Sequence, residues 1–295
     1  MANVLENALL EKLGALRFTG PRRVTGGRVG ERRSMLRGAS VEIADFRAYV
    51  QGDDFRYIDW NAMARFDQPV VRLFVDQRAL PVTILLDISA SMDFGNPNKL
   101  RFSRRLAAAL GWIGLARQDQ MTLWLVGGGA GRSGRKATFV TKAGFAGLQE
   151  FVQTLKSGGR ADFAGPARVL GEQGPRGGLI VVISDLLDAG DAMDHWRHLM
   201  SQGQEVRLLH VLCPQEVHPQ PSQAVRLVDV ETGRRMSVLP NRNMLRHYDN
   251  RVQTFLSSMR EKCRHHQIPY VLLSSNAELQ WVLFDVLTGA GILQR

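Results

Sequence analysis

Apolar positions along this chain fall into three patterns: continuous runs, strict alternation and helical spacing. The run Val82-Thr83-Ile84-Leu85-Leu86 ends in Asp87, Ser89 and Ser91, three oxygen-bearing side chains at alternate positions. Five apolar or β-branched residues in succession suit a strand covered on both faces of a parallel sheet, where a half-exposed strand would alternate. A second run, Leu179 to Ile183, ends in Ser184-Asp185 and mirrors the first. Alternation appears over Val70–Gln77, an antiparallel or edge strand leading to Pro81.

Helical spacing predicts helices over Val4–Phe18, Asn98–Gln118, Phe145–Leu155, Gly165–Glu172, Asp194–Gln202, Asn241–His266 and Ala277–Leu287. Further strands are predicted at Met121–Val126, Glu205–Leu212 and Tyr270–Ser274. Gly127-Gly128-Gly129 turns the first of these into a hairpin with Ala137–Thr141. A phosphate-cradling loop at these glycines is disfavoured, because no Lys-Ser/Thr follows at the required offset. Val225–Leu239 reads as a two-stranded excursion. Strands alternating with helices predict an α/β fold, a doubly wound and mostly parallel sheet, over residues 81–295. Residues 1–80 are then an N-terminal helix, a basic arm and a β-rich extension. In such sheets ligands bind outside the carboxyl ends of the strands where the strand order reverses. Asp87 and Asp185 are therefore the first places to look for a site.

The basic arm is the one concentrated charge: Arg17, Arg22, Arg23, Arg28, Arg32, Arg33 and Arg37 face only Glu31. It reads either as a solvated loop or as a contact surface for an acidic partner, with Arg22, Arg23, Arg32 and Arg33 its candidates. Beyond it, Asp45 to Arg65 mixes aromatics, carboxylates and arginines. Asp53 or Asp54 suits a turn cap, and Arg47, Arg56 and Arg65 suffice to neutralise Asp53, Asp54 and Asp59. That is the pattern of a salt-bridged corner more than of a catalytic carboxylate pair.

Composition narrows the classes. A chain of 295 residues with 44% hydrophobic residues can bury a full core. Its charge, 38 − 28 = +10, permits an acidic protein, nucleic acid or anionic membrane as partner. Cys213 and Cys263 lack zinc or disulfide spacing, which suits a reducing, cytoplasmic setting. Leu106 to Ala116, bounded by Arg105 and Arg117, is too short to span a bilayer, and no secretory signal pattern opens the chain.

Two strand ends bearing Asp87, Asp185, Ser89 and Ser91 offer hard oxygen ligands without sulfur or imidazole, a set suited to Mg2+, Mn2+ or Ca2+. On spacing alone, turn capping by the same residues is an equal alternative. Asp87-Ile88-Ser89-Ala90-Ser91 resembles the Asp-x-Ser-x-Ser motif of von Willebrand factor A domains, whose metal-ion-dependent adhesion site crowns a doubly wound sheet. Gly52-Asp53-Asp54, Arg56, Ile58-Asp59-Trp60, Ala64-Arg65, Met92, Phe94-Gly95 and Lys99 further resemble the prokaryotic family called domain of unknown function 58. The resemblance implies that Ser89 and Ser91 bind Mg2+ or Mn2+ directly, Asp87 mainly through water, and Asp185 as second acidic ligand. Where that pattern has a threonine, this chain reads Gly158-Gly159-Arg160-Ala161-Asp162, so Asp162 is a substitute ligand or Arg160 faces the anion. The family commonly accompanies MoxR-type AAA+ ATPases, which implies an adaptor or chaperone component without catalysis. Two other readings are weighed. A metal-dependent phosphoester hydrolase would use Asp87, although Ser89 stands where such enzymes want a second Asp, and His195 and His198 lack a third ligand. Nucleic-acid binding through the basic arm would lack interleaved aromatics for stacking.

Overall fold

The computed structural model describes residues 4–20, 43–51, 55, 58–66, 68–74, 79–128, 134–175, 177–187, 192–219, 225–228 and 235–295. They form two compact units, residues 1–22 with 80–295 and residues 23–79. In chain order, α1 (Asn7–Leu13) and β1 (Arg17–Phe18) precede β2 (Ile43–Ala48), α2 (Trp60–Phe66) and β3 (Val70–Phe74). There follow β4 (Pro81–Asp87), α3 (Lys99–Ala116), β5 (Gln120–Val126), β6 (Lys136–Phe139), α4 (Phe145–Gln153) and α5 (Ala164–Gln173). Next are β7 (Leu179–Ser184), α6 (Ala192–Ser201), β8 (Glu205–Leu212), α7 (Pro214–Val217), β9 (Val225–Val228), β10 (Arg235–Val238) and α8 (Arg242–His265). The chain closes with β11 (Tyr270–Ser274), the short α9 (Leu279–Trp281) and α10 (Leu287–Gly289), and β12 (Leu293–Gln294).

In the larger unit, six strands order as β11-β8-β7-β4-β5-β6, parallel except for β6, which pairs antiparallel with β5. Helices cover both faces, so this is a doubly wound α/β fold with a mostly parallel sheet. Successive residues of the central strands feed opposite cores. Ile84, Leu86, Val181 and Ile183 join the layer with α1, α3 and α4, while Leu85, Ile180 and Val182 join α5, α6 and α8. Burial on both faces is why β4 and β7 read as uninterrupted apolar runs. From β4 the chain moves one way to β5, and β7 then lies on the other side of β4. The strand order therefore reverses between β4 and β7, and Asp87 and Asp185 stand at that point.

Three features differ from the pattern read along the chain. The opening helix ends at Leu13, and Arg17–Phe18 instead pairs with Leu293–Gln294. Arg207, buried at the start of β8, fixes that exchange: it donates to the Ile292 carbonyl (2.6 Å), the Thr19 carbonyl (2.5 Å) and Glu205 Oε1 (2.8 Å). Leu5, Leu13, Leu16 and Phe18 are buried in the first core, so the N-terminal segment belongs with the α/β unit and not with an extension running to residue 80. Finally, the closing helix begins at Leu279 and widens into a π turn over Val282–Val286. There the Thr288 hydroxyl donates back to the Phe284 carbonyl (2.5 Å), a side-chain bond that competes with regular helical bonding.

In the smaller unit, β2 pairs antiparallel with β3. The Asp59 carboxylate accepts the amides of Asn61 (3.0 Å) and Ala62 (3.1 Å), capping α2. Asp53, Asp54 and Arg56, read as cap and counter-ion candidates, lie outside the described residues.

Candidate functional site

The carboxyl end of β4 carries Asp87, and its backbone continues through a bend into the turn Ala90–Met92. Neighbouring main chain holds that bend on three sides. Ile88 donates its amide to Val126 (2.8 Å), Gly158 donates to Ile88 (2.9 Å), and Ala90 donates to Gly159 (2.9 Å). The glycines after β5 permit this approach. Gly127 has φ +84°, and a Cβ there would lie 2.8 Å from the Ser89 nitrogen. The glycine run thus serves close packing against the site loop, and Gly129 lies outside the described residues.

Asp87 and Ser89 are buried, and the Ser89 and Ser91 hydroxyls are 3.0 Å apart. Asp87 Oδ1 accepts the Ser89 amide (2.8 Å), and Oδ2 accepts the Ser184 hydroxyl (2.5 Å). Asp185, also buried, follows Ser184 at the end of β7; its Oδ1 accepts the Leu187 amide (3.2 Å). Burial first, and then the Asp185 charge, push the Asp87 carboxyl up to about 6, against the lowering effect of the Ser184 and Ser89 hydrogen bonds.

A lysine completes the cluster. Lys99, the first residue of α3 and 0% exposed, places Nζ 2.7 Å from Asp185 Oδ2 and 2.5 Å from Glu216 Oε1. Burial alone would pull its ammonium down, but Asp185 and Glu216 outweigh it and hold it above its ordinary value. Glu216 is fixed by the Cys213 amide (2.9 Å). The loop before α3 is tied to the same turn by reciprocal bonds between Asn96 and Gln215, at 3.2 and 2.7 Å.

Ser184, Lys99 and Glu216 join the site although no ligand motif along the chain marks them. A signal for Lys99 does exist in the sequence. It follows Asn98, whose side chain caps the helix by accepting the Arg101 amide (3.0 Å), and a cation in a first helical turn opposes the helix dipole. A lysine there calls for a carboxylate partner. Glu216, in a four-residue turn remote in sequence, offers no comparable signal.

The residues present fit a divalent ion in part. Hydroxyls 3.0 Å apart match the separation of adjacent ligands on an octahedral ion with bonds of about 2.1 Å, which is about 3 Å. Two carboxylates, Asp185 and Glu216, face one ammonium, and Asp87 interacts electrostatically with Asp185, leaving surplus negative charge at a buried locus. Against this, Asp185 Oδ2 is already paired with Lys99, and among the described residues no cluster of three His, Cys, Asp or Glu side chains suits a metal by itself. The loop expected to supply a threonine gives no hydroxyl. Ala161 packs on the second core, Arg160 is exposed, and the exposed Asp162 accepts the Ala164 amide (2.9 Å), acting as a turn cap. Of the basic-arm candidates, Arg22, Arg23, Arg32 and Arg33 lie outside the described residues.

Cys213 and Cys263 are free and buried, and burial pushes both thiols up to about 11, away from nucleophilic use. His210, on β8 beside Ser184, is buried with Nδ1 2.7 Å from the Tyr270 hydroxyl. Burial lowers its imidazole to about 4, so it is neutral at ordinary pH. Among the described residues no helix is long and apolar enough to cross a membrane.

An open sheet with helices on both faces and a hydroxyl and carboxylate cluster at its switch point places the protein among doubly wound α/β proteins. The chain belongs to the family described as protein of unknown function DUF58, whose model matches residues 45–255. Uncharacterized proteins of Mycobacterium tuberculosis and Mycobacterium bovis are 28% identical over 232 residues, 76% of this chain and 72% of theirs. Among solved structures it is similar to the conserved hypothetical protein BatB from Bacteroides thetaiotaomicron. That similarity has a TM-score of 0.43 at 16% identity, covering 72% of this chain and 98% of the other. It is similar too to an aerotolerance-related membrane protein from Bacteroides fragilis, with a TM-score of 0.41 at 18% identity, covering 70% and 96%.

Proposed function

We propose that this protein is a noncatalytic interaction module whose Asp87, Ser89, Ser91 and Asp185 hold a divalent ion, Mg2+ or Mn2+, to capture an acidic group on a partner protein. The observation that carries this reading is the pair of hydroxyls 3.0 Å apart beside two buried carboxylates at the reversal of strand order. In it, Ser89 and Ser91 contribute neutral oxygens, so a bound ion keeps net positive charge and would attract an incoming carboxylate. The ion supplies Lewis-acid attraction; the chain supplies its placement.

Lys99 shapes the charge of this site. Its single ammonium pairs with Asp185 and Glu216 and offsets one of their two charges, while Asp87 accepts only from Ser89 and Ser184 among the described residues, which favours an ion seated toward Ser89 and Ser91. Exposed Phe94 and Leu187, on the loops that follow Asp87 and Asp185, offer apolar contact for a partner at the same crest. A MoxR-type AAA+ ATPase is the partner that the motif resemblance favours.

Calorimetric titration of Mg2+ and Mn2+ into the wild type and into Asp87→Ala and Ser89→Ala/Ser91→Ala tests the reading. Saturable heat is expected in the wild type and its loss in both variants. Indistinguishable titrations would refute the metal site.

A further inference from the structure

The far edge of the central sheet is open in a way that the crest site does not require. In β11, alternate residues of a parallel pair direct both main-chain groups to the same neighbour. Leu208 donates to the Pro269 carbonyl and Ser275 to the Leu212 carbonyl, both at 2.8 Å, so Pro269, Val271, Leu273 and Ser275 face β8. Tyr270, Leu272 and Ser274 face outward. The Ser274 carbonyl accepts the Ala277 amide, but among the described residues nothing bonds the main chain of Tyr270 or Leu272. Unpaired groups of this kind are a template for another strand.

Beside this edge lies a cavity of about 490 Å3, lined by Arg260, Cys263, Arg264, Ile268 and residues 270–272. Its floor is apolar, since Cys263 and Ile268 are buried, and its wall is cationic. Arg260 and Arg264 are exposed on α8 and have no carboxylate partner among the described residues. They lie one turn apart on the helix that covers this face. Tyr270 packs into the core layer beneath α8, whereas Val271 and Leu273 pack into the opposite layer. An added strand would therefore turn every second side chain toward the two arginines. Four residues of helix rise about 6 Å, and two residues of strand about 6.7 Å, so the arginine spacing matches side chains at alternate strand positions.

We infer that the outer edge of β11, with Arg260 and Arg264 above it, receives an extended segment of another protein bearing acidic residues at alternate positions. Main-chain hydrogen bonds to Tyr270 and Leu272 supply the register, and the guanidinium groups select carboxylates, which the chain's charge of +10 also favours. This surface is separate from Asp87 and Ser89 and does not rest on a metal there.

Fluorescence anisotropy with a capped, labelled Glu-Val-Glu-Val-Glu-Val peptide and the full chain tests it, with Lys-Val-Lys-Val-Lys-Val as control. Binding of the acidic peptide alone is expected, weakening as salt rises. Arg260→Glu/Arg264→Glu, both at exposed helix positions, should weaken it by about tenfold or more, as charge reversal at a contact rim does. Leu272→Pro should have an effect of about the same size, because it removes an outward N–H without touching the β8 ladder, and an edge strand tolerates proline at such a position. In ¹⁵N-labelled protein the Tyr270 and Leu272 amides should shift on binding. No acidic-peptide binding, equal binding of the lysine peptide, or binding unchanged in both variants would overturn the inference. So would a concentration-dependent dimer abolished by Leu272→Pro, which would assign the edge to a second copy of this chain.

Discussion

Asp87 shows at the residue scale how a buried carboxylate costs the fold something. Its carboxyl sits at about 6 against an ordinary value of 3.8 because it is buried and faces Asp185. The folded state thus binds a proton more tightly than the unfolded state. The contribution to stability is full below pH 3.8 and is lost as pH rises through 6, by about 3 kcal/mol for a displacement of this size. Asp87→Asn is therefore expected to stabilise the metal-free protein at pH 8 by about 1–3 kcal/mol and to flatten its stability between pH 4 and 6. Thermal unfolding in a chelator at pH 4, 6 and 8 checks this; a lower melting temperature for the variant at pH 8 would contradict it. The same substitution should abolish any Mg2+ response, separating the site's use from its cost. His210 acts in the opposite sense, since its lowered value penalises the folded state as pH falls from 6.5 toward 4. Measurements on Asp87→Asn should therefore be compared with wild type at each pH.

At the scale of elements, the pairing of β1 with β12 shows how a tertiary contact ends a helix that local pattern would prolong. Leu16 continues the apolar spacing of α1, yet the helix ends at Leu13 and Arg17–Phe18 pairs with β12, an arrangement that Arg207 ties down. Its guanidinium joins the Thr19 and Ile292 carbonyls with Glu205 across sequence separations of up to 188 residues. Arg207→Met keeps the stem's volume but leaves the carbonyls and Glu205 without their donor. It should cost about 3 kcal/mol. Faster amide exchange of Thr19, whose amide donates to the Ile292 carbonyl (3.1 Å), is expected, while exchange in β4 and β7 follows only the global change. Exchange quickened equally everywhere, or unaltered at Thr19, would refute the assignment.

For the whole molecule, the α/β unit is closed by a segment that composition alone would assign elsewhere. Leu5, Leu13, Leu16 and Phe18 are buried against it, Trp112 Nε1 donates to the Leu10 carbonyl (2.8 Å), and Arg117 donates to the Gly14, Ala15 and Leu16 carbonyls. Four such side chains are worth about 1.5–3 kcal/mol each, comparable together to the whole stability of a domain. Deleting residues 1–20 should abolish cooperative thermal unfolding followed by near-ultraviolet circular dichroism. A transition within a few degrees of the full chain's would show that the segment is dispensable.

The sequence by itself determined the sheet and the position of its crest. Val82–Leu86 and Leu179–Ile183 are apolar without alternation because both faces are covered, and period alone carries that information, so Asp87 and Asp185 could be placed at strand ends. Hydroxyl and carboxylate chemistry was equally legible, since Ser89 and Ser91 stand at alternate positions after Asp87. What only the tertiary structure decided are the partners that meet across long separations: Lys99 between Asp185 and Glu216, Ser184 on Asp87, and Arg207 across both termini. No local period encodes such meetings, because they depend on which loops the sheet order brings together. The same holds for the open edge at Tyr270 and Leu272: any strand sequence has outward-facing amides, and only strand order reveals which of them lack a neighbour.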